Sequence, residues 1–153
     1  METTKMNLVS KLMHRIGRRR VITERNSDVP YLIRYYLFLK DRKRFPFNIT
    51  LHKVLVSDEP TLHDHPWSYA TFILKGGYWE NTPEGRYWRG FGHFRYRKAS
   101  DLHFLELKKD ADGNEIPCWS LFFMGQKSGS WGFIKNGKWI HNEKYLARGA
   151  KDE

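Results

Sequence analysis

A single cysteine, Cys118, is the only thiol in the 153 residues. Its solitude excludes an internal disulfide and any cysteine-only zinc cluster, and it suits a reducing compartment. Glycine and proline together fill 18 positions, too few for a fibrous or low-complexity chain, and no repeat or linker interrupts the sequence. No apolar run approaches the roughly 18 residues that a bilayer span requires. The N-terminus carries polar and acidic residues where a secretory apolar region would sit, so the chain is expected in the cytoplasm and off the membrane. Gly90-Phe91-Gly92 lacks the third glycine of a phosphate-binding loop. Helix-turn-helix, zinc-finger and RNA-recognition signatures are missing too. Cys118 and Ser120 have no nucleophile-elbow residues around them, and Cys118 reads as a core cysteine.

What the chain does have is aromatic surface. Ten Phe, eight Tyr and six Trp make up 16% of the residues, a composition suited to large side chains packed between pleated sheets. Residues 5–17 place Val9, Leu12, Met13 and Ile16 at helical spacing, which predicts one amphipathic helix ending near Gly17, its apolar stripe lying over a sheet. From Val21 onward the pattern is of strands: 31–39, 47–56, 65–74, 78–81, 87–97, 102–107, 118–124, 131–134 and 138–140. Turn chemistry at 57–60, Gly76-Gly77, 82–85, 110–114 and Asn136-Gly137 separates them. Many short strands at this spacing predict an all-β sandwich or barrel with one N-terminal α-helix. The division expected is a basic helical segment, 1–20, and a single β-barrel domain, 21–153.

Charge is unevenly spread. The formal charge is +10, and residues 1–44 carry +8 of it. One cluster is Arg15, Arg18, Arg19 and Arg20, a candidate polyanion-binding patch; a second is Lys40, Arg42, Lys43 and Arg44. No aromatic residue interleaves the first cluster, so the stacking part of single-strand recognition is missing there.

The histidines carry the chemistry. In Leu62-His63-Asp64-His65-Pro66-Trp67, two histidines two residues apart leave an extended chain on one face. Continuing that alternation gives Trp67, Tyr69, Thr71 and Ile73, an inward face. His103 shares its face with Leu105 and Leu107 and also looks inward, and His52 is a fourth histidine in a strand. Imidazoles directed into an apolar interior must be satisfied and neutral, and a divalent metal does both. Asp64 points the other way, as a turn or supporting group.

At these residues the sequence resembles the cupin superfamily, jelly-roll barrels whose metal site takes an HxH pair from one strand and a third His from a later one. The likeness runs over about residues 47–125. It rests on His63-Asp64-His65-Pro66-Trp67, on Gly76-Gly77-Tyr78-Trp79-Glu80 and on Lys98-Ala99-Ser100-Asp101-Leu102-His103. It is similar to small cupin-like proteins often encoded by phages and bacteria. The resemblance implies a double-stranded β-helix with His63, His65 and His103 as metal ligands and Gly76 or Gly77 closing the first motif. The family's glutamate ligand would fall at Tyr69 or Ala70, the leading glycine is Ser57, and Lys98-Ala99-Ser100 replaces the usual Pro-x-Gly. What remains resembles the three-histidine members, thiol dioxygenase-like ones included.

Two readings stay open. In the first, three imidazoles on one face of an octahedral Fe(II), with Zn, Mn or Ni as alternatives, leave positions for substrate and dioxygen, with Tyr69 and Glu80 as catalytic candidates. In the second, a non-catalytic module holds an anionic, nucleotide-like ligand through Trp67, Arg86, Arg89, Arg95 and Arg97, the arginines interleaved with aromatic residues on one strand. A nucleic-acid partner rests on the basic N-terminal third alone, and a homodimer is a further expectation.

Overall fold

The computed structural model describes residues 7–23, 28–42 and 44–148. Helix α1 (Leu8–Arg15) opens at Asn7, whose side-chain oxygen accepts the Ser10 amide at 2.8 Å. It closes at Gly17, where φ is +70°, with the Arg18 amide donating to the Met13 carbonyl and the Gly17 amide to His14. This is a Schellman stop, which glycine adopts without a steric penalty. Residues 5 and 6 of the expected helix lie outside the described residues. The helix lies against the edge of a sheet as expected, but through its polar side: only Ser10 of the helix is buried, its hydroxyl 3.0 Å from Tyr35 Oη, while Val9, Leu12 and Ile16 of the apolar stripe are exposed. Arg18 anchors the helix end by donating Nη1 to the Tyr36 and Phe38 carbonyls.

The strands are β1 (Arg19–Thr23), β2 (Pro30–Tyr36), β3 (Asn48–Val54), β4 (Trp67–Lys75), β5 (Gly77–Thr82), β6 (Gly85–Gly90), β7 (Phe94–Arg97), β8 (Phe104–Leu107), β9 (Cys118–Lys127), β10 (Gly132–Lys135) and β11 (Lys138–His141). A six-stranded sheet runs β1-β2-β3-β9-β4-β7, a three-stranded one β6-β5-β8, and β10-β11 form a hairpin; every pairing is antiparallel. This is the all-β, two-sheet jelly roll expected of the sequence.

Register sorts the side chains of the large sheet. Ile73, Ser120, His52 and Arg34 stand opposite one another across β4, β9, β3 and β2, and Thr71, Phe122 and Thr50 form the next inward row. The alternating row Phe72, Leu121, Leu51 and Tyr35 faces outward. Between the sheets Leu32, Val54, Ile73, Tyr78, Leu107 and Cys118 pack into one core. Burial there pushes the Cys118 thiol up to about 12, as befits a packing group and not a nucleophile.

Three local expectations are corrected. Residues 87–97 are not one strand: the chain breaks at Phe91-Gly92-His93, with Gly92 at φ +79°, and passes from β6 in the small sheet to β7 in the large one. Arg19 and Arg20 belong to β1, within the stretch assigned to the N-terminal helix. A second helix, α2 (Asn142–Arg148), follows the β10-β11 hairpin, whose Asn136-Gly137 turn has both φ angles positive. Seven residues carry too little periodicity to announce a helix; packing holds it. Tyr145 stacks on Phe133 at 4.1 Å between ring centroids, and its hydroxyl donates to Glu59 Oε1 at 2.8 Å. No helix among the described residues is long and apolar enough to cross a membrane.

Candidate metal centre

The two sheets enclose a cavity of about 330 Å³, and His63, His65 and His103 meet at its wall. Backbone pairing brings them together. His63 and His103 exchange both of their hydrogen bonds, at 3.0 and 3.1 Å, in an antiparallel bridge just before β4 and β8 begin. The His65 amide donates to the Ala99 carbonyl at 2.9 Å, and the period of two keeps His65 on the side of His63. One nitrogen from each ring lies within 4.8 Å of the other two, and Nε2 of His65 is 2.9 Å from Nε2 of His103. Two nitrogens bound at about 2.0–2.1 Å to one ion, at a right angle, would be about 2.9 Å apart. The spacing therefore fits neighbouring ligands of a single ion.

The groups behind the rings agree. His103 donates Nδ1–H to Glu80 Oε1 at 3.0 Å, and His63 donates Nδ1–H to the Thr61 carbonyl at 3.3 Å. Each bond puts the ring proton on Nδ1 and turns the Nε2 lone pair inward, where that of His103 meets the Tyr69 hydroxyl at 3.0 Å and is available to an ion once that hydroxyl turns away. Burial holds the His65 pKa well below the ordinary imidazole range, and the neighbouring His103 and His63 add to this. His63 is lowered too, because burial outweighs the opposing pull of Asp58. Neutral imidazole is the form a metal takes.

No protein-family model and no curated protein matches the sequence. Solved structures do match. An RmlC-like cupin protein from Ralstonia eutropha aligns with 99% of this chain and 87% of its own at 13% identity, with a TM-score of 0.52. A cupin-2 domain protein from Rhodospirillum rubrum aligns over 77% and 76% at 12% identity, with a TM-score of 0.57. The chain has the cupin fold. An Fe(II) HppE is similar as well, at 13% identity over 80% of this chain and 78% of that one, with a TM-score of 0.52. These likenesses are of architecture, and the chemistry of this chain rests on its own residues.

Tyr69 is buried with its hydroxyl 3.0 Å from His103 Nε2. Burial raises its pKa well above the ordinary phenol value, so it keeps its proton. Trp67 lines the cavity, with the Arg42 guanidinium 5.7 Å from its ring centre. Glu80 is neither exposed nor a lining residue: its carboxylate lies behind His103, paired with Arg89 Nε at 2.9 Å and with Arg97. Burial alone would raise its pKa, but hydrogen bonds from His103, Arg97 and Arg89 hold it well below the carboxylate range. A carboxylate so engaged is a poor general base, and Glu80 is corrected from a catalytic candidate to the group that orients His103.

The arginines expected to grip a ligand do not converge on the cavity. Arg89 and Arg97 are spent on Glu80, and Arg86 pairs with Glu106 at 3.1 Å on the exterior. Arg95 lines a separate surface pocket beside Glu84 and Asp101. Splitting residues 87–97 between two sheets is the reason. The polyanion cluster is likewise dispersed: Arg15 ends α1, Arg18 is bonded to two carbonyls, and alternation along β1 sends Arg19 and Arg20 to opposite faces. In the second cluster, Lys43 lies outside the described residues.

Two cavity residues escaped the sequence reading. Asp58, taken as a turn residue, accepts the Tyr31 hydroxyl and the Leu105 amide, the latter at 2.7 Å. Arg34 lies in the pattern Leu32-Ile33-Arg34-Tyr35-Tyr36, where alternation sets a lone charge on the inward face with Leu32; that was the available signal. Asp64 fulfils its supporting role by accepting the Gly132 amide at 2.7 Å and Trp139 Nε1 at 3.0 Å, which ties the β10-β11 hairpin to the histidine segment.

Proposed function

We propose that this cupin binds one divalent ion at His63, His65 and His103 and uses it for oxygenase-like chemistry on a small molecule. The observation that carries the reading is the convergence of three imidazoles, two of them held below their ordinary pKa by burial, on the wall of the cavity between the sheets. A bound redox-active ion would supply a Lewis-acid centre for substrate and dioxygen. Fe(II) is the ion that dioxygen chemistry calls for and the one the similar HppE holds, and three imidazoles accommodate it as they do Zn, Mn or Ni, the alternatives. The chain's own groups do the rest. Glu80 fixes the His103 ring through Nδ1, the Tyr69 hydroxyl stays protonated as a hydrogen-bond donor beside His103, and Trp67, Phe122 and Trp131 give the cavity an aromatic wall for an apolar substrate body. The test is dioxygen uptake by anaerobically Fe(II)-loaded protein offered small-molecule candidates. Substrate-dependent uptake that collapses in His103→Ala supports the reading. Uptake unaffected by that substitution removes the histidines from the chemistry.

A further inference from the structure

Arg34 has one partner where a buried-side guanidinium ordinarily has several. On the inner face of β2 it donates Nε–H to His52 Nε2 at 3.0 Å, and Thr50 Oγ1 lies 3.0 Å from the same nitrogen. An Nε2 that accepts from a guanidinium belongs to a neutral ring, and burial followed by the Arg34 charge pushes His52 well below its ordinary pKa. His52 therefore positions Arg34 without neutralising it. Among the described residues the two terminal amines of Arg34 make no hydrogen bond, and no carboxylate pairs with it. Asp58, the carboxylate that lines the same cavity, is occupied by the Tyr31 hydroxyl and the Leu105 amide. Half-buried at the cavity wall, the terminal amines are open to an anion that enters there, and a charge-assisted hydrogen bond to them is about twice as strong as a neutral one.

A row of rings links this cation to the histidines. Tyr69, 3.0 Å from His103, stacks on Phe122 at 4.9 Å between centroids, and Phe122 stacks on His52 at 4.6 Å. A ligand lying along that row meets apolar ring surface in its middle, a guanidinium at one end and the three imidazoles at the other. The volume of about 330 Å³ sits at the small end of ligand pockets, which suits one ring with a short chain.

We propose that Arg34 is the anion anchor of the cavity and that the ligand is a small organic acid, a carboxylate carried on an apolar or aromatic body. The placement of the ligand's other end at the histidines rests on the reading given under the proposed function; the anchor itself does not.

The probes are 3-phenylpropanoate, its neutral amide and 2-phenylethylphosphonate, titrated calorimetrically into metal-free wild-type protein, Arg34→Gln, Arg34→Lys and the double variant His63→Ala/His65→Ala. Wild type should bind the acid at least about tenfold more tightly than the amide, as one charge-assisted contact requires. The double variant should keep that preference, Arg34→Gln should lose it, and Arg34→Lys should recover part of it. A preference that survives in Arg34→Gln, equal binding of acid and amide, or no binding of either overturns the anchor. A preference lost in the double variant but kept in Arg34→Gln puts the carboxylate at the histidines, which overturns the anchor and leaves the metal reading standing. Tighter binding of the phosphonate than of the acid overturns the carboxylate assignment. If Arg34→Gln does not fold, the Arg34→Lys comparison decides: an acid preference unchanged from wild type counts against the anchor. Loss of metal binding alone leaves the expected preference in metal-free protein unchanged.

Discussion

Replacing Glu80 by Gln separates a supported metal ligand from three imidazoles that merely share a cavity. The Glu80 side chain is 4% exposed and meets Arg89 and Arg97, which are 11% and 9% exposed, while its other oxygen accepts His103 Nδ1–H. Glutamine keeps the shape but removes the charge, so two guanidiniums are left inside without a counter-ion and an amide N–H must face a donor. Breaking a buried pair in this way costs about 3–5 kcal/mol. For a chain of this length each kcal/mol shifts Tm by roughly 2–4 °C, so the metal-free variant should melt roughly 6–20 °C below wild type. Loss of the group that fixes a histidine's tautomer lowers metal affinity about 10–100-fold. Calorimetric melts of metal-free protein and Co(II) titrations against a competing chelator read the two effects separately. Adding Arg97→Met to Glu80→Gln should recover part of the Tm but none of the affinity. A Glu80→Gln protein that melts within about 2 °C of wild type and binds Co(II) equally well would refute the reasoning.

Other outcomes follow from the same geometry. Burial holds His52 and His65 well below the unfolded imidazole value of about 6.5, so between the folded and unfolded pKa values the unfolded chain binds more protons. Metal-free protein should keep its full stability above that pH and lose about 1.4 kcal/mol per pH unit per histidine below it; urea unfolding at a series of pH values checks the slope, and His52→Gln should reduce it by one proton. Asp64→Ala should cost about 1–3 kcal/mol and speed amide exchange at Gly132, because two donors of the β10-β11 hairpin lose their acceptor. Gly76→Ala should cost at least about 1–2 kcal/mol by urea unfolding, since φ is +77° and the new Cβ would stand 2.7 Å from the Pro117 carbonyl.

The parts of the molecule that alternation governs were legible in the sequence. Trp67, Tyr69 and Thr71 line the cavity and Ile73 is buried, as a period of two from His65 requires, and Asn136-Gly137 makes the expected hairpin turn. What alternation cannot report is which strand lies beside which. The bridge between His63 and His103, the burial of Glu80 against Arg97, and the sheet change at Gly92 are all pairings between distant segments. Arg86, Arg89, Arg95 and Arg97 show this: as one strand they look like a ligand-binding comb, and divided between two sheets Arg86 pairs with Glu106, Arg89 and Arg97 pair with Glu80, and Arg95 lines a surface pocket. Helix α1 shows the converse limit, for its periodicity is clear while the solvent-facing side of its apolar stripe depends on what stands next to it. Helix α2 is too short to carry a periodic signal and is held by Phe133 and Glu59.

The central claim is that His63, His65 and His103 form one metal site, and elemental analysis tests it most directly. Protein purified without an affinity tag, loaded anaerobically with Fe(II) and desalted should contain one ion per chain, while His63→Ala/His65→Ala, treated in the same way and folded by circular dichroism, should contain none. Equal metal content in the two proteins, or none in wild type, would contradict the account.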